Sequence, residues 1–248
     1  MIEYIHYLKS DIYKLRHSWF FPLHILFPIC GTLLMLMYAK LSGSSDLNKL
    51  AAFSQVIAVA YPFVIAIVCQ IISEQEMRAG YFQNMLTLPC RKKAIWSKFT
   101  ILVLSGLLSC LLCTIMFGMI FSFIENVKIP FAFFILVPAI LLGSNILLYA
   151  LHLILSFQFG RNLSISIGVL GSLLVALMQT GLGTGIWFLI PYGLGVHFLE
   201  TALNYIFITP EVISGEIRVG IYFCIIATCA IMGIMTFWFS KYSGTHSE

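Results

Sequence analysis

The chain has 248 residues, 60% of them apolar and 10% charged, with a formal net charge of +4. Soluble domains carry about 25% charged residues, so this composition excludes an ordinary soluble fold. No G-x-x-x-x-G-K-[ST] phosphate loop is present, and six membrane crossings would use nearly all of the length.

Residues 1–18 come first. Ile2, Ile5, Leu8, Ile12, Leu15 and Trp19 recur every three or four positions, one helical face, while Glu3, His6, Lys9 and Lys14 fall largely elsewhere. The pattern predicts an amphipathic helix on the inner membrane surface with Trp19 at headgroup level. It serves either as a topological anchor or as an elbow helix passing force to the first span. No small-residue cleavage site follows the first apolar run, which is expected to be retained.

Six stretches then lack Asp, Glu, Lys and Arg over lengths that suit a crossing of roughly 20 residues. They place spans at 19–39, 51–72, 99–124, 132–157, 165–190 and 220–239. The connection at 73–98 is the most informative. Glu74 and Glu76 leave span two, followed by Arg78, and Gly80 permits a turn. A short amphipathic helix over 79–88 is predicted, with Phe82, Met85, Leu86 and Leu88 as its apolar side and Pro89 as its stop. Arg91, Lys92 and Lys93 follow.

Span three carries Gly106, Cys110, Thr114, Gly118 and Ser122 at four-residue intervals, and span five carries Ser164, Gly168, Ser172 and Ala176. Such stripes let helix backbones approach closely in lipid, against a neighbour in this chain or in a second subunit. His24 and His152 are solitary within spans, which disfavours proton or sodium coupling. Cys110-x-x-Cys113 lies mid-span without a second ligand pair, so it reads as packing and no metal is expected. Gly181, Gly183 and Gly185 precede no strand–helix unit and read as packing or a helix break, not a dinucleotide site. The connection at 191–217 contains an apolar stretch and is expected to form an outer re-entrant or interfacial hairpin. Glu200, Glu211 and Glu216 make that face locally acidic, as solvated loop charges or as an attraction for a cationic peptide.

Orientation follows from Lys and Arg. Lys9, Lys14, Arg16, Arg78, Arg91, Lys92, Lys93, Lys98, Arg161 and Lys241 fall on one side, and Lys40, Lys49, Lys128 and Arg218 on the other. Both termini are therefore expected in the cytoplasm, and nucleic acid is not an expected partner.

The run Glu74-x-Glu76-x-x-x-Gly80-x-x-x-Asn84-x-Leu86-x-x-Pro89 resembles the pattern after the second span of type-2 ABC exporter permeases. The resemblance extends to the six-span plan, the amphipathic start and the apolar region between spans five and six. Gly80-Tyr81-Phe82-Gln83-Asn84 and the small size are similar to the lantibiotic-immunity permease subunits of that family. The resemblance implies an all-α integral membrane protein whose stretch 79–88 is a coupling helix docked on a separate ABC ATPase dimer, with Glu74 and Glu76 at its start. ATP and Mg would then lie on that partner, with no cofactor in this chain. A second six-span permease would complete the assembly, as a heteromer or a homodimer, in a bacterial plasma membrane. The implied function is export of an amphiphilic antimicrobial peptide or related membrane-active compound. A non-transporting binder or sensor of such peptides is an alternative. A membrane enzyme built on Glu74, Glu76 and His152 is a weaker one, because the histidines share no motif spacing with the carboxylates.

Overall fold

The computed structural model describes residues 2–208 and 214–244, and these are helical with no strand. Helix α1 (Ile2–Leu15) lies against a bundle of long helices, α2 (Phe20–Leu41), α3 (Asp46–Arg78), α5 (Arg91–Glu125), α6 (Phe131–Phe159), α7 (Arg161–Leu177) and α9 (Gly215–Lys241). Two shorter pieces, α4 (Gln83–Leu86) and α8 (Leu194–Phe207), fill the connections after α3 and α7. Among the described residues, six helices are long and apolar enough to cross a membrane, starting at Phe20, Asp46, Arg91, Phe131, Arg161 and Gly215. Their ends follow local chemistry. Ser45 and Ser214 accept backbone N–H bonds at the starts of α3 and α9, and α5 ends on Asn126 in the left-handed region.

Helix α3 is central, packing on α5, α6, α7 and α8. Inside lipid such packing rests on close fit, and glycines set it. A Cβ at Gly168 of α7 would collide with the Ala66 Cβ of α3, and one at Gly106 of α5 would meet the hydroxyls of Tyr61 and Tyr149. Those two hydroxyls bond to each other at 3.0 Å. A Cβ at Gly118 would strike the Phe134 ring. Cys110, Thr114 and Ser164 are buried, and Ser172 is half-buried, so these small residues lie against neighbours within this chain. Phe53 stacks on Phe117 with centroids 3.7 Å apart.

Three features differ from the sequence reading. The fifth crossing does not run to 190: α7 stops at Leu177, a π turn spans Met178–Leu182, and Gly181 adopts φ +88. The chain then turns back through short 3-10 turns into α8, whose Leu194, Val196, Leu199 and Leu203 are buried against α3 and α6. The helix expected over 79–88 is a single turn, because Gly80, Tyr81 and Phe82 all take positive φ. The first helix also seats a different face. Leu15 and Asp11 are buried and Tyr4 and Leu8 half-buried, whereas Ile5, Ile12 and Trp19 remain exposed. An exposed apolar flank beside a seated polar one suits a helix lying in a headgroup layer.

Candidate functional site

Two ends of the bundle can be told apart by their charges. Lys49 of α3 pairs with Glu125 of α5 at 2.9 Å at one end. The opposite end, which holds both described termini, gathers α1, the close of α3, α4, the start of α5 and the junction of α6 with α7. It carries most of the cations, and its centre is closed to solvent.

Lys98 is the hub. Its ammonium donates to Asp11 at 2.9 Å and to Glu76 Oε1 at 2.7 Å, and only 3% of its side chain is exposed. Glu76 Oε1 also accepts from Lys14 at 3.0 Å, and Asp11 accepts from the Ser97 hydroxyl at 2.6 Å. Two ammoniums and two carboxylates thus balance in a buried cluster that ties α1 to α3 and α5. Burying such ions is tolerable only with close geometry and full pairing. One atom falls short: Glu76 Oε2 is buried with no hydrogen-bond partner among the described residues. A cavity of about 240 Å³ lies between α1 and the α4 connection, lined by Asp11, Lys14, Lys98 and Asn84 among others.

The connection from Ala79 to Pro89 is built directly on this cluster. The Phe82 amide bonds to the Glu76 carbonyl at 3.2 Å, and the Asn84 side chain donates to the Ala79 carbonyl at 2.7 Å. Arg91 donates to the Leu86 carbonyl at 2.9 Å and to the Tyr242 carbonyl at 3.3 Å. Phe82 is buried against Phe157 and Tyr242, and Met85 and Leu86 are buried with it. The outward face consists of Met77, Arg78, Gly80, Tyr81, Gln83, Asn84, Thr87 and Pro89, all exposed. Holding Tyr81 at φ +49 is uncommon for a non-glycine residue, and the flanking bonds keep it there.

The remaining sequence candidates are also located. Glu74 is partly buried, 3.6 Å from Arg78 and 3.8 Å from Arg161. Lys93 pairs with Glu3, which holds the Glu3 carboxyl below its ordinary value. Glu200 and Glu216 are exposed near the other end; Glu216 accepts from the Trp187 indole at 3.3 Å. Glu211 lies outside the described residues. His197 stacks on Trp187 with centroids 4.4 Å apart, and burial lowers its pKa. His152 bonds to Ser164 at 3.1 Å and to Tyr192 at 3.0 Å, with no carboxylate among its described partners. Burial pushes the Tyr192 hydroxyl up to about 12.

Sequence reasoning found Glu74, Glu76 and the connection but missed Asp11, Lys98 and Ser97 as partners. Lys98 counts only toward topology in the sequence, and the one available signal is a lysine set directly against the uncharged stretch of span three.

The described residues thus form an all-helical bundle with six helices apolar enough to span a membrane, and its buried charges join those helices to α1. The chain belongs to the ABC-2 family of transporter proteins, whose family model matches residues 7–175. It is accordingly the transport permease component of an ABC transporter and is not itself catalytic. No curated protein and no solved structure matches the chain.

Proposed function

We propose that this permease serves an ATP-driven exporter that expels an amphiphilic antimicrobial peptide, or a related membrane-active compound, giving self-protection or resistance. The basic end faces the cytoplasm of a bacterial cell. A separate ATPase dimer carrying ATP and Mg docks on the exposed side of the connection between α3 and α5. A second six-span permease, a different chain in the preferred assembly, meets the second ATPase subunit.

The observation that carries this reading is the two-sidedness of that connection. Phe82, Met85 and Leu86 anchor it inward, and Glu76 joins its base to Lys14 and Lys98. Tyr81, Gln83 and Thr87 are exposed on the outside. Closure of the ATPase dimer would move the anchored segment together with α1, α3 and α5, switching the bundle from inward-facing to outward-facing.

Co-purification in mild detergent tests the reading. The wild-type chain should bring down its ATPase subunit, and Tyr81→Asp combined with Gln83→Asp should lose it while remaining monodisperse. Undiminished ATPase recovery in that double variant would remove the docking surface. ATPase association without peptide efflux would move the chain to the non-transporting binder class.

A further inference from the structure

Helix α1 has one face that the bundle leaves uncovered. Its other face is fastened. Tyr4 bonds to the Trp96 carbonyl at 3.1 Å and to the Thr100 hydroxyl at 2.7 Å, and Asp11 and Lys14 enter the ionic cluster. These anchors fix the rotation of the helix about its axis. At about 100° per residue, Ile5, Lys9, Ile12 and Arg16 then fall within about 60° of one another, and all four are exposed. The Arg16 amide continues the helix by bonding to the Ile12 carbonyl at 3.0 Å. Lys9 and Arg16 thus stand about 10 Å apart along the axis, interleaved with two isoleucines.

Neither cation has a counterion in the protein. Four carboxylates are described at this end of the bundle, and each is taken. Glu3 pairs with Lys93, Asp11 with Lys98, Glu74 with Arg78 and Arg161, and Glu76 with Lys14 and Lys98. Among the described residues the Lys9 and Arg16 side chains make no ion pair and no hydrogen bond. The Trp19 indole, beside the same stripe and 71% exposed, makes none either.

The depth of the stripe is also fixed. Only residues 16–19 separate α1 from α2, the first crossing, which starts at Phe20. Four residues span no more than about 14 Å even when fully extended, so α1 stays beside the level where α2 enters hydrocarbon. A cation placed among isoleucines there buries its stem with them and carries its charge out to the headgroups. An acidic protein surface would meet the two charges alone. A lipid interface supplies hydrocarbon for Ile5 and Ile12 together with phosphates for Lys9 and Arg16.

We propose that the Lys9–Arg16 stripe of α1 binds the headgroups of anionic phospholipid, with Ile5 and Ile12 in the acyl layer and Trp19 at the boundary between them. Such binding needs only that the chain spans a membrane, so it stands apart from the exporter reading. It holds α1 from two sides, by ion pairs inward to α3 and α5 and by lipid phosphate outward.

The test uses the full chain in phosphatidylcholine nanodiscs doped with phosphatidylglycerol that carries a diazirine next to its headgroup. After irradiation, mass spectrometry maps the labelled peptides. Phosphatidylglycerol occupies both leaflets of the disc, so the outcome does not depend on which way the chain inserts. Residues 2–19 should label saturably. One cation beside an anionic surface contributes about fivefold in affinity. Lys9→Gln and Arg16→Gln should therefore each raise the half-saturating lipid fraction about fivefold, and the two together about thirtyfold. Lys9→Arg combined with Arg16→Lys retains both charges and should keep the wild-type value.

Equal labelling of residues 2–19 by the matching phosphatidylcholine probe overturns the proposal, since charge then plays no part. A double glutamine variant that labels like the wild type overturns it as well. If that variant keeps its labelling but loses the ATPase on co-purification, the stripe is a protein contact and not a lipid site.

Discussion

Replacing Lys98 by methionine keeps the bulk of the side chain and removes one ammonium from the centre of the cluster. At an effective dielectric of 20, each of its two contacts is worth about 6 kcal/mol before desolvation. The ammonium's own desolvation offsets several kcal/mol of this, and removing one partner of a buried pair leaves a net loss of about 3–5 kcal/mol. What remains is unbalanced. Glu76 keeps Lys14, which is one-third exposed, and Asp11 keeps only the Ser97 hydroxyl. At roughly 2–4 °C per kcal/mol for a chain of this size, the unfolding midpoint should fall by about 6–20 °C. Fluorescence-detected size-exclusion chromatography after heating measures it, with Lys92→Met as the exposed control. Adding Asp11→Asn to Lys98→Met should recover part of the loss, since Lys14 and Glu76 then balance again. The reasoning is refuted if Lys98→Met melts with Lys92→Met, or if the Asp11→Asn loss simply adds to it.

Other consequences are open to equally direct measurement. Phe82→Asp should abolish monodisperse protein, since truncating a buried phenylalanine alone costs about 3–5 kcal/mol, whereas Tyr81→Asp should leave the elution profile unchanged. Gly168→Leu should destabilise the bundle by more than about 2 kcal/mol because it forces α7 away from Ala66, whereas Gly143→Ala should leave the melting midpoint in place. Burial depresses the His197 pKa, so its stabilising contribution is present above the unfolded value of about 6.5 and is lost as pH falls through the lower folded value. Hydrogen exchange of Leu194–Phe207 should therefore speed up on acidification beyond the intrinsic change, and His197→Gln should flatten that response.

The six crossings were legible because a helix in hydrocarbon cannot carry unpaired charge, and the gaps between charges mark each crossing. The same signal misled at the fifth. An uncharged stretch reads alike whether it crosses or folds back, and the break rests on Gly181 adopting a positive φ. The connection after α3 was recognisable by its residues, but its helical extent was not, because Tyr81 and Phe82 take left-handed conformations that their side chains do not advertise. The ionic cluster was invisible for a different reason. Its members come from three helices, and topology counting explains a lysine near a span end without a partner. For α1, periodicity showed an apolar face but could not say whether that face meets the bundle or remains exposed; the structure seats the side bearing Asp11 and Leu15 instead.

The order of synthesis gives the cluster a further meaning. Asp11 leaves the ribosome early, yet Lys98 follows it by 87 positions and Glu76 follows Lys14 by 62. At 5–20 residues per second, the first helix waits on the order of ten seconds for its ionic partners. During that interval α1 must rest at the membrane surface with Asp11 hydrated, and two further crossings must be made before it can seat. The permease thus cannot complete this end of the bundle until the start of α5 is inserted, which ties the seating of α1 to correct insertion of the first half of the chain.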